Sequence, residues 1–473
     1  MNILGIDIGT SSIKVVLNDY KNKKNLKSVI KDSNSTLVLN NKIFHEQSVE
    51  KIFDTIKEIL SEMSYEELRK VKHIGVSGQM HGVVFWTDEV DNDTGLFIHS
   101  NLITWMDQRC NRDNFIQSIP KMPSKLVEEM FVSSGYGCAT IFYLNNFENS
   151  FLNQWKYAGN IVDFLACQLC DIARPIMSSQ MAHSWGYFDL INNCWFLEIL
   201  EKNNFLTKLL PEVEYPGFVF GESKGFLKSI FSDAKVYVGM GDLQCSMYYA
   251  LRNNLYAAIN MSTSAQFVIR VTLLDLKRLN NNKNELLQLP PGLVVNPFFK
   301  GEFLLVGASL NGGNVIANFV TVLGNWICDL TGIELSKDKI WERLLSTYEN
   351  HFSGSHENTH NKNPIINPII FGERHYPEMG ASVSNIYPFN CHLVDVYKSL
   401  CHGLIKNLTS LLPLEMVSKL NVKQLTCSGG VISRHKCVQD VIKSVYGATI
   451  SEIEIMNEYD ACMGIVDYLS DIL

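Results

Sequence analysis

The chain has 473 residues, 46% of them hydrophobic and 19% charged, and a formal net charge of −8. That length suits about two or three domains with sizeable cores, and the acidic balance offers no basic face for nucleic acid. No apolar run approaches the length of a membrane helix, and 12 scattered cysteines in so long a chain read as reduced thiols of a cytosolic protein, not as a disulfide scaffold.

The opening "MNILGIDIGTSSIK" has no basic n-region, and Asp7 interrupts its apolar stretch, which argues against a signal peptide. Alternation over residues 3–17 predicts a β-hairpin turned by Gly9–Ser12. Residues 49–63 place Val49, Ile52, Phe53, Ile56, Ile59, Leu60 and Met63 at helical spacing. "HIGVSGQM" reads as a short buried strand that ends in a polar loop. Cys167 and Cys170 form one C-x-x-C with no second pair nearby, so they read as small residues of a buried helix. Residues 278–291 and 350–364 are rich in Asn and Lys and read as surface loops. The second of these holds "HENTH", His356–His360, which matches a zinc-protease pattern. Its polar, helix-breaking flanks argue for a solvated loop instead. Amphipathic helices fit 394–412 and 459–472. Strands and helices alternate throughout, so the class is α/β.

An internal echo organises the chain. "IDIGTSSIKVV" (6–16) aligns with "INMSTSAQFVI" (259–269), with Asp7 opposite Asn260. Each copy reads as strand, small-residue turn, strand. Small residues let backbone N–H groups approach an anion closely. Gly9, Thr10 and Ser11 offer such groups, and Ser262, Thr263 and Ser264 repeat the offer. An acid beside such a turn repels phosphate unless a divalent cation lies between them, and Mg²⁺ favours carboxylate, water and phosphate oxygens. Asp7 is therefore the candidate for holding Mg²⁺; two capped hairpins with no ligand are the plain alternative. "GMGDLQ" (239–244) places Asp242 after an apolar run, where a carboxylate projects at a strand end. A general base for phosphoryl transfer needs such a placement. "CSGGVISRH" (427–435) adds a glycine pair between a strand and a helix, where flat backbone suits a base ring.

In this order and spacing, "DIGTSS", "GDLQ", "STS" and "SGG" resemble the FGGY carbohydrate kinases, part of the actin, heat-shock ATPase and hexokinase fold group. "GVSGQMHGVVFW", "TWMDQRC", "SGYGCATIFYL", "SWGYFDL", "ASLNGGNV" and "GERH" resemble the branch acting on seven-carbon ketoses. The resemblance implies two RNase H-like domains around a central cleft, 1–250 holding sugar and 251–473 holding ATP. It implies Asp242 as catalytic base and Asp7 as the Mg²⁺-associated acid. Gly9, Thr10 and Ser11 match the first phosphate loop, Ser262, Thr263 and Ser264 the second, and Gly429, Gly430 and Ser433 the adenosine stretch. Gln79, Met80 and His81 match the sugar loop, joined by Trp105, Asp107 and Arg109. The sequence departs from the family pattern at Gln108 and Ser179. A sugar's apolar face suits Trp105, and its hydroxyls suit directional groups such as His81, Asp107 and Arg109. The implied partners are a ketose and ATP, with no nucleic acid and no membrane. A five-carbon ketose kinase is the alternative within the family, and an inactive sugar or nucleotide sensor the alternative outside it.

Overall fold

The alternating N-terminal segment forms the expected hairpin, and that hairpin seeds a sheet. β1 (Asn2–Ile8) runs antiparallel to β2 (Ser12–Asp19), which pairs with β3 (Lys24–Asp32). The computed structural model describes all residues except 128–130, 232, 253–255, 281–285, 353–362, 374–375, 377 and 457–458. The "HENTH" segment lies outside the described residues. Two units divide the chain. One is Met1–Ala250 with Pro297–Gly301 and Asp460–Leu473; the other is Leu251–Asn296 with Glu302–Tyr459. The stretch expected as one second domain, 251–473, thus gives its last helix and Pro297–Gly301 to the first unit.

In the first unit, β4 (Val71–Gly78) lies parallel to β1. Beyond β4, β5 (Val219–Glu222) and β6 (Lys235–Tyr237) complete the order β5-β6-β4-β1-β2-β3, and β7 (Met240–Gly241) pairs with the end of β4. α1 (Val49–Ser61) is N-capped by Ser48, whose hydroxyl accepts the Lys51 N–H at 3.1 Å, an arrangement worth about 1 kcal/mol. Its predicted stripe is the buried face, and Phe53 meets Phe164 edge-on at 5.7 Å. Phe164 belongs to α2 (Ile161–Cys170), which is buried on all sides, Cys167 and Cys170 included. α3 (Ser179–Trp185) and α4 (Asp242–Ala250) follow. The C-terminal helix, Ala461–Ile472, returns to this sheet. Its Ile465 and Leu469 fill the space above Gly75, and Gly464 lies against the Cys245 carbonyl of α4; a Cβ there would come within 1.9 Å of that oxygen. This close crossing fixes α4, and with it the residue that begins it, Asp242.

The second unit repeats the plan. β8 (Ala257–Met261) and β9 (Ala265–Val271) form the echoed hairpin. With β10 (Leu293–Pro297), β11 (Phe303–Ser309), β12 (Gln424–Ser428) and β13 (Glu452–Ile455) they give the order β10-β11-β9-β8-β12-β13. α5 (Gly313–Thr331), α6 (Leu393–Leu411), α7 (Gly430–Arg434) and α8 (Lys436–Tyr446) accompany it. The echo extends to the neighbouring strand: Asp7 pairs with Ser77 across β1 and β4, as Asn260 pairs with Ser428 across β8 and β12. Phe267 meets Tyr446 edge-on at 5.2 Å in the core.

Asp163 is the acid the first unit buries at greatest cost. One carboxylate oxygen accepts the Asn160 N–H at 2.8 Å as part of the α2 cap; the other has no partner among the described residues. Burial pushes its pKa up to about 8. The folded state therefore keeps a proton that the unfolded chain loses near pH 4. The stability this contributes is intact below about pH 4 and is lost as pH rises from there to about 8. Asp163→Asn, which mimics the protonated acid, is expected to gain on the parent in urea unfolding between pH 5 and pH 9 by at least about 1 kcal/mol. Parallel stability curves would contradict this.

Candidate active site

Asp7 and Asp242 stand at the carboxyl ends of strands on opposite sides of β4. β1 and β7 both run parallel to β4, with Asp7 beside Ser77 and Gly241 beside Gly78. Ligands of parallel α/β sheets gather at this end. Ser77 Oγ donates to Asp7 Oδ1 at 2.6 Å. Burial lifts the Asp7 pKa to about 6; the Ser77 bond and Lys14 oppose the rise, and Asp460 adds to it. Lys14 is itself paired with Asp460 at 2.7 Å. Burial, then the nearby charge of Asp7, pushes Asp242 up to about 7. Two buried acids, one of which raises the other's proton affinity, favour a cation nearby, and Mg²⁺ needs few protein ligands because it keeps water and phosphate oxygens. The donor set at Asp7 fits Mg²⁺.

The first turn is tied by its carbonyls. Thr10 O accepts from Gln47 Nε2 at 2.6 Å, and Ser11 O from the Ser33 N–H at 2.8 Å. Among the described residues the Thr10 and Ser11 N–H groups have no acceptor, so they remain for an anion. Gln79 links this turn to the sugar loop: its Nε2 donates to Gln47 Oε1 at 2.8 Å, and its N–H to Ile8 O at 2.8 Å. Met80 lies against Gly241. His81 takes a positive φ of 72°, stacks on Tyr136 with ring centroids 4.3 Å apart, and is held by Ser184 of α3 through its N–H (3.1 Å) and Nδ1 (2.7 Å). Trp105 is 38% exposed and donates from Nε1 to Thr10 Oγ1 at 2.9 Å, so an apolar face stands open beside the turn.

Asp107 and Arg109, expected to line the sugar, are paired with each other in the interior. Asp107 is wholly buried and accepts from the His45 and Arg109 N–H groups (2.8 and 2.9 Å) and from Arg109 Nε and Nη2 (2.8 and 3.0 Å). Arg109 also donates to Glu46 at 2.7 Å and lies over the Phe44 ring at 4.5 Å. Their spacing of two residues lets the guanidinium fold back on the carboxylate. Both are engaged in a buried ion pair beside the Trp105 loop.

In the second unit the Ser262–Ser264 turn is tied in the same manner. Ser262 O accepts the Gly313 N–H at 2.8 Å, and Thr263 O the Asn314 N–H at 3.1 Å. The side chains of Ser262, Thr263 and Ser264 are exposed, and the Thr263 and Ser264 N–H groups have no acceptor among the described residues. Gly429 has φ 108°, and a Cβ on it would lie 2.3 Å from Met261 O. Only glycine brings the Gly429–Gly430 backbone so close to the end of β8. Ser433 follows on α7, its N–H donating to Gly429 O at 3.0 Å.

Several residues here carried no role in the sequence reading. Gln180 Oε1 accepts the Gly241 N–H at 3.2 Å, one residue before Asp242. Gln47 braces the first turn. Gln79 Oε1, Gln180 Nε2 and Gln244 Oε1 are buried with no partner among the described residues, near Gly241 and Met80. The only sequence signal for Gln180 was its place in "MSSQMAHSW"; Gln47 had none, because its partners lie far along the chain.

The chain matches the FGGY family of carbohydrate kinases, N-terminal domain, over residues 2–247. It is 33% identical to sedoheptulokinase of Homo sapiens, across 98% of this chain and 95% of that protein. A xylulose kinase of Staphylococcus epidermidis is 27% identical across 51% of this chain and 47% of that protein. The structure of a xylulose kinase from Rhodospirillum rubrum superposes with a TM-score of 0.77 at 12% identity, covering 99% of this chain and 89% of that one. The fold is thus that of the two-domain sugar kinases of the actin and hexokinase group.

The buried pair has a measurable consequence. Arg109→Met leaves Asp107 charged and unpaired in the interior, which costs about 3–5 kcal/mol. Urea unfolding is expected to show that loss. A variant of parental stability that has only lost sugar affinity would return Arg109 to the sugar site.

Proposed function

Because the chain belongs to the FGGY family of carbohydrate kinases, we propose that it transfers the γ-phosphoryl group of ATP to the terminal primary hydroxyl of sedoheptulose, giving sedoheptulose 7-phosphate and ADP. The observation that carries the chemistry is the pair of acids at the strand ends, one of them with a pKa of about 7. A base poised there takes a hydroxyl proton near neutral pH. Asp242 accepts that proton as the sugar oxygen bonds to the γ-phosphorus; the bond to the β-bridging oxygen breaks, and ADP keeps its electron pair. The free N–H groups of Thr10 and Ser11, and those of Thr263 and Ser264, suit phosphate oxygens, and most of the acceleration is positioning and charge stabilisation. Mg²⁺ held at Asp7 would supply charge neutralisation on the phosphates. Gly429, Gly430 and Ser433 flank adenosine in this reading. Gln79, Met80, His81 and Trp105 meet the sugar, with Trp105 under its apolar face. The choice of a seven-carbon sugar is supported by a likeness that runs through the whole chain, where the xylulose kinase likeness spans about half of it. Twelve free cysteines are in keeping with a cytoplasmic setting.

An ADP-release assay over a panel of ketoses tests the reading. Sedoheptulose is expected to give a higher kcat/KM than xylulose. Preference for xylulose would favour a five-carbon kinase, and sugar binding without ADP would indicate a sensor. Asp242→Asn is expected to lower kcat by about 10²–10⁴. Because the folded state raises the Asp242 pKa, that variant should be at least as stable as the parent at pH 8. Near-normal turnover would remove Asp242 from the base role.

A further inference from the structure

Glu373 carries a carboxylate into the interior of the second unit. It is 1% exposed, and among the described residues no Lys, Arg or His pairs with it. Burying a carboxylate without a cation is costly unless donors surround it. Four do. Glu373 Oε1 accepts from Ser309 Oγ at 2.5 Å, Asn311 Nδ2 at 3.1 Å and Asn407 Nδ2 at 2.7 Å, and Oε2 accepts the Leu310 N–H at 3.2 Å. Asn311 reaches back to the segment that carries Glu373. Its Nδ2 donates to Gly372 O at 2.8 Å, and its Oδ1 accepts the Ile370 and Phe371 N–H groups at 3.1 and 3.2 Å.

All of these donors except Asn407 lie in the turn from β11 into α5, residues 309–311. The next residues of that turn grip the Ser262–Ser264 turn. Gly313 and Asn314 donate to Ser262 O and Thr263 O, and a Cβ on Gly312 would lie 2.5 Å from the Ser264 carbonyl carbon. A continuous set of hydrogen bonds therefore runs from Glu373 through the Leu310–Asn314 turn to the amides of Thr263 and Ser264. It joins Gly372 and Glu373 to the "ASLNGGNV" segment, which the reaction itself leaves without a role.

We propose that Glu373 is a positioning residue for the nucleotide: its carboxylate sets the Leu310–Gly313 turn and so holds the Ser262–Ser264 amides where they meet the ATP phosphates. The proposal rests on assigning that turn to ATP. Glu373→Gln keeps the side chain's size but sets an NH₂ group against a donor. Asn407→Ala removes one of the four donors without changing charge. Binding of a non-hydrolysable ATP analogue with Mg²⁺, measured by calorimetry on the full chain, reads the effect beside KM for ATP and for ketose and the thermal midpoint. Glu373→Gln is expected to raise the analogue's Kd and the KM for ATP about tenfold, the size of one charge-assisted hydrogen bond, with KM for ketose within about twofold. Asn407→Ala is expected to move the same quantities in the same direction by less, and it decides the matter if Glu373→Gln does not fold. A lower thermal midpoint with nucleotide affinity unchanged would mean a purely structural role and overturn the proposal; equal loss of ATP and ketose affinity would overturn it as well. Gly312→Val, which displaces Ser264, separates the two claims. Weaker analogue binding in Gly312→Val but not in Glu373→Gln sinks this inference alone. No weakening in either sinks the assignment of the turn to ATP.

Discussion

Two carboxylates buried on either side of a single strand, Asp7 lifting the proton affinity of Asp242, are the constraint on which the rest of this molecule depends. Asp7 and Asp242 stand at the carboxyl ends of β1 and β7, either side of β4, where burial raises the pKa of each. Left alone, such a pair costs stability, since burial disfavours the charged form of each. A phosphoryl-transfer site turns the cost into use. One acid suits a divalent cation and the other a proton from an alcohol, and both tasks want a carboxylate that is held still and short of water.

Much of the first unit reads as the means of holding that pair. The C-terminal helix crosses α4 at Gly464 closely enough to exclude any side chain there. Gln180 fixes the peptide before Asp242, and Ser77 orients Asp7. Gln47 joins the Gly9–Ser12 turn to the loop that carries Gln79, Met80 and His81. The buried Asp107–Arg109 pair frames the loop from which Trp105 projects. The second unit repeats the hairpin and its neighbouring strand, but with Asn260 in the place of Asp7. There the Thr263 and Ser264 N–H groups have no acceptor among the described residues, and an amide replaces the acid at the strand end.

What the sequence disclosed followed from local rules. Alternation and a Gly-Thr-Ser turn made the first hairpin legible, and helical spacing marked α1 and α6 to within a residue or two. Asp242 was legible only through its company, a short glycine-flanked motif placed before the second turn. The pairing of Asp107 with Arg109 was not legible because sequence reports charge but not burial; two opposite charges two residues apart can serve a ligand or each other. Glu373, Gln47 and Gln180 acquire their roles from partners some 30 to 60 residues away, and no periodicity records such a meeting. The return of the last helix to the first unit was hidden for the same reason: its apolar stripe says that it packs, not on what.

The most direct measurement of the central claim is a structure of the Asp242→Asn protein with sedoheptulose and a non-hydrolysable ATP analogue bound. The account requires the residue-242 side chain to lie within about 3.2 Å of the sugar's terminal hydroxyl oxygen, with that oxygen facing the γ-phosphorus. A side chain at 242 turned away from the sugar, or a different acid at that hydroxyl, would contradict it.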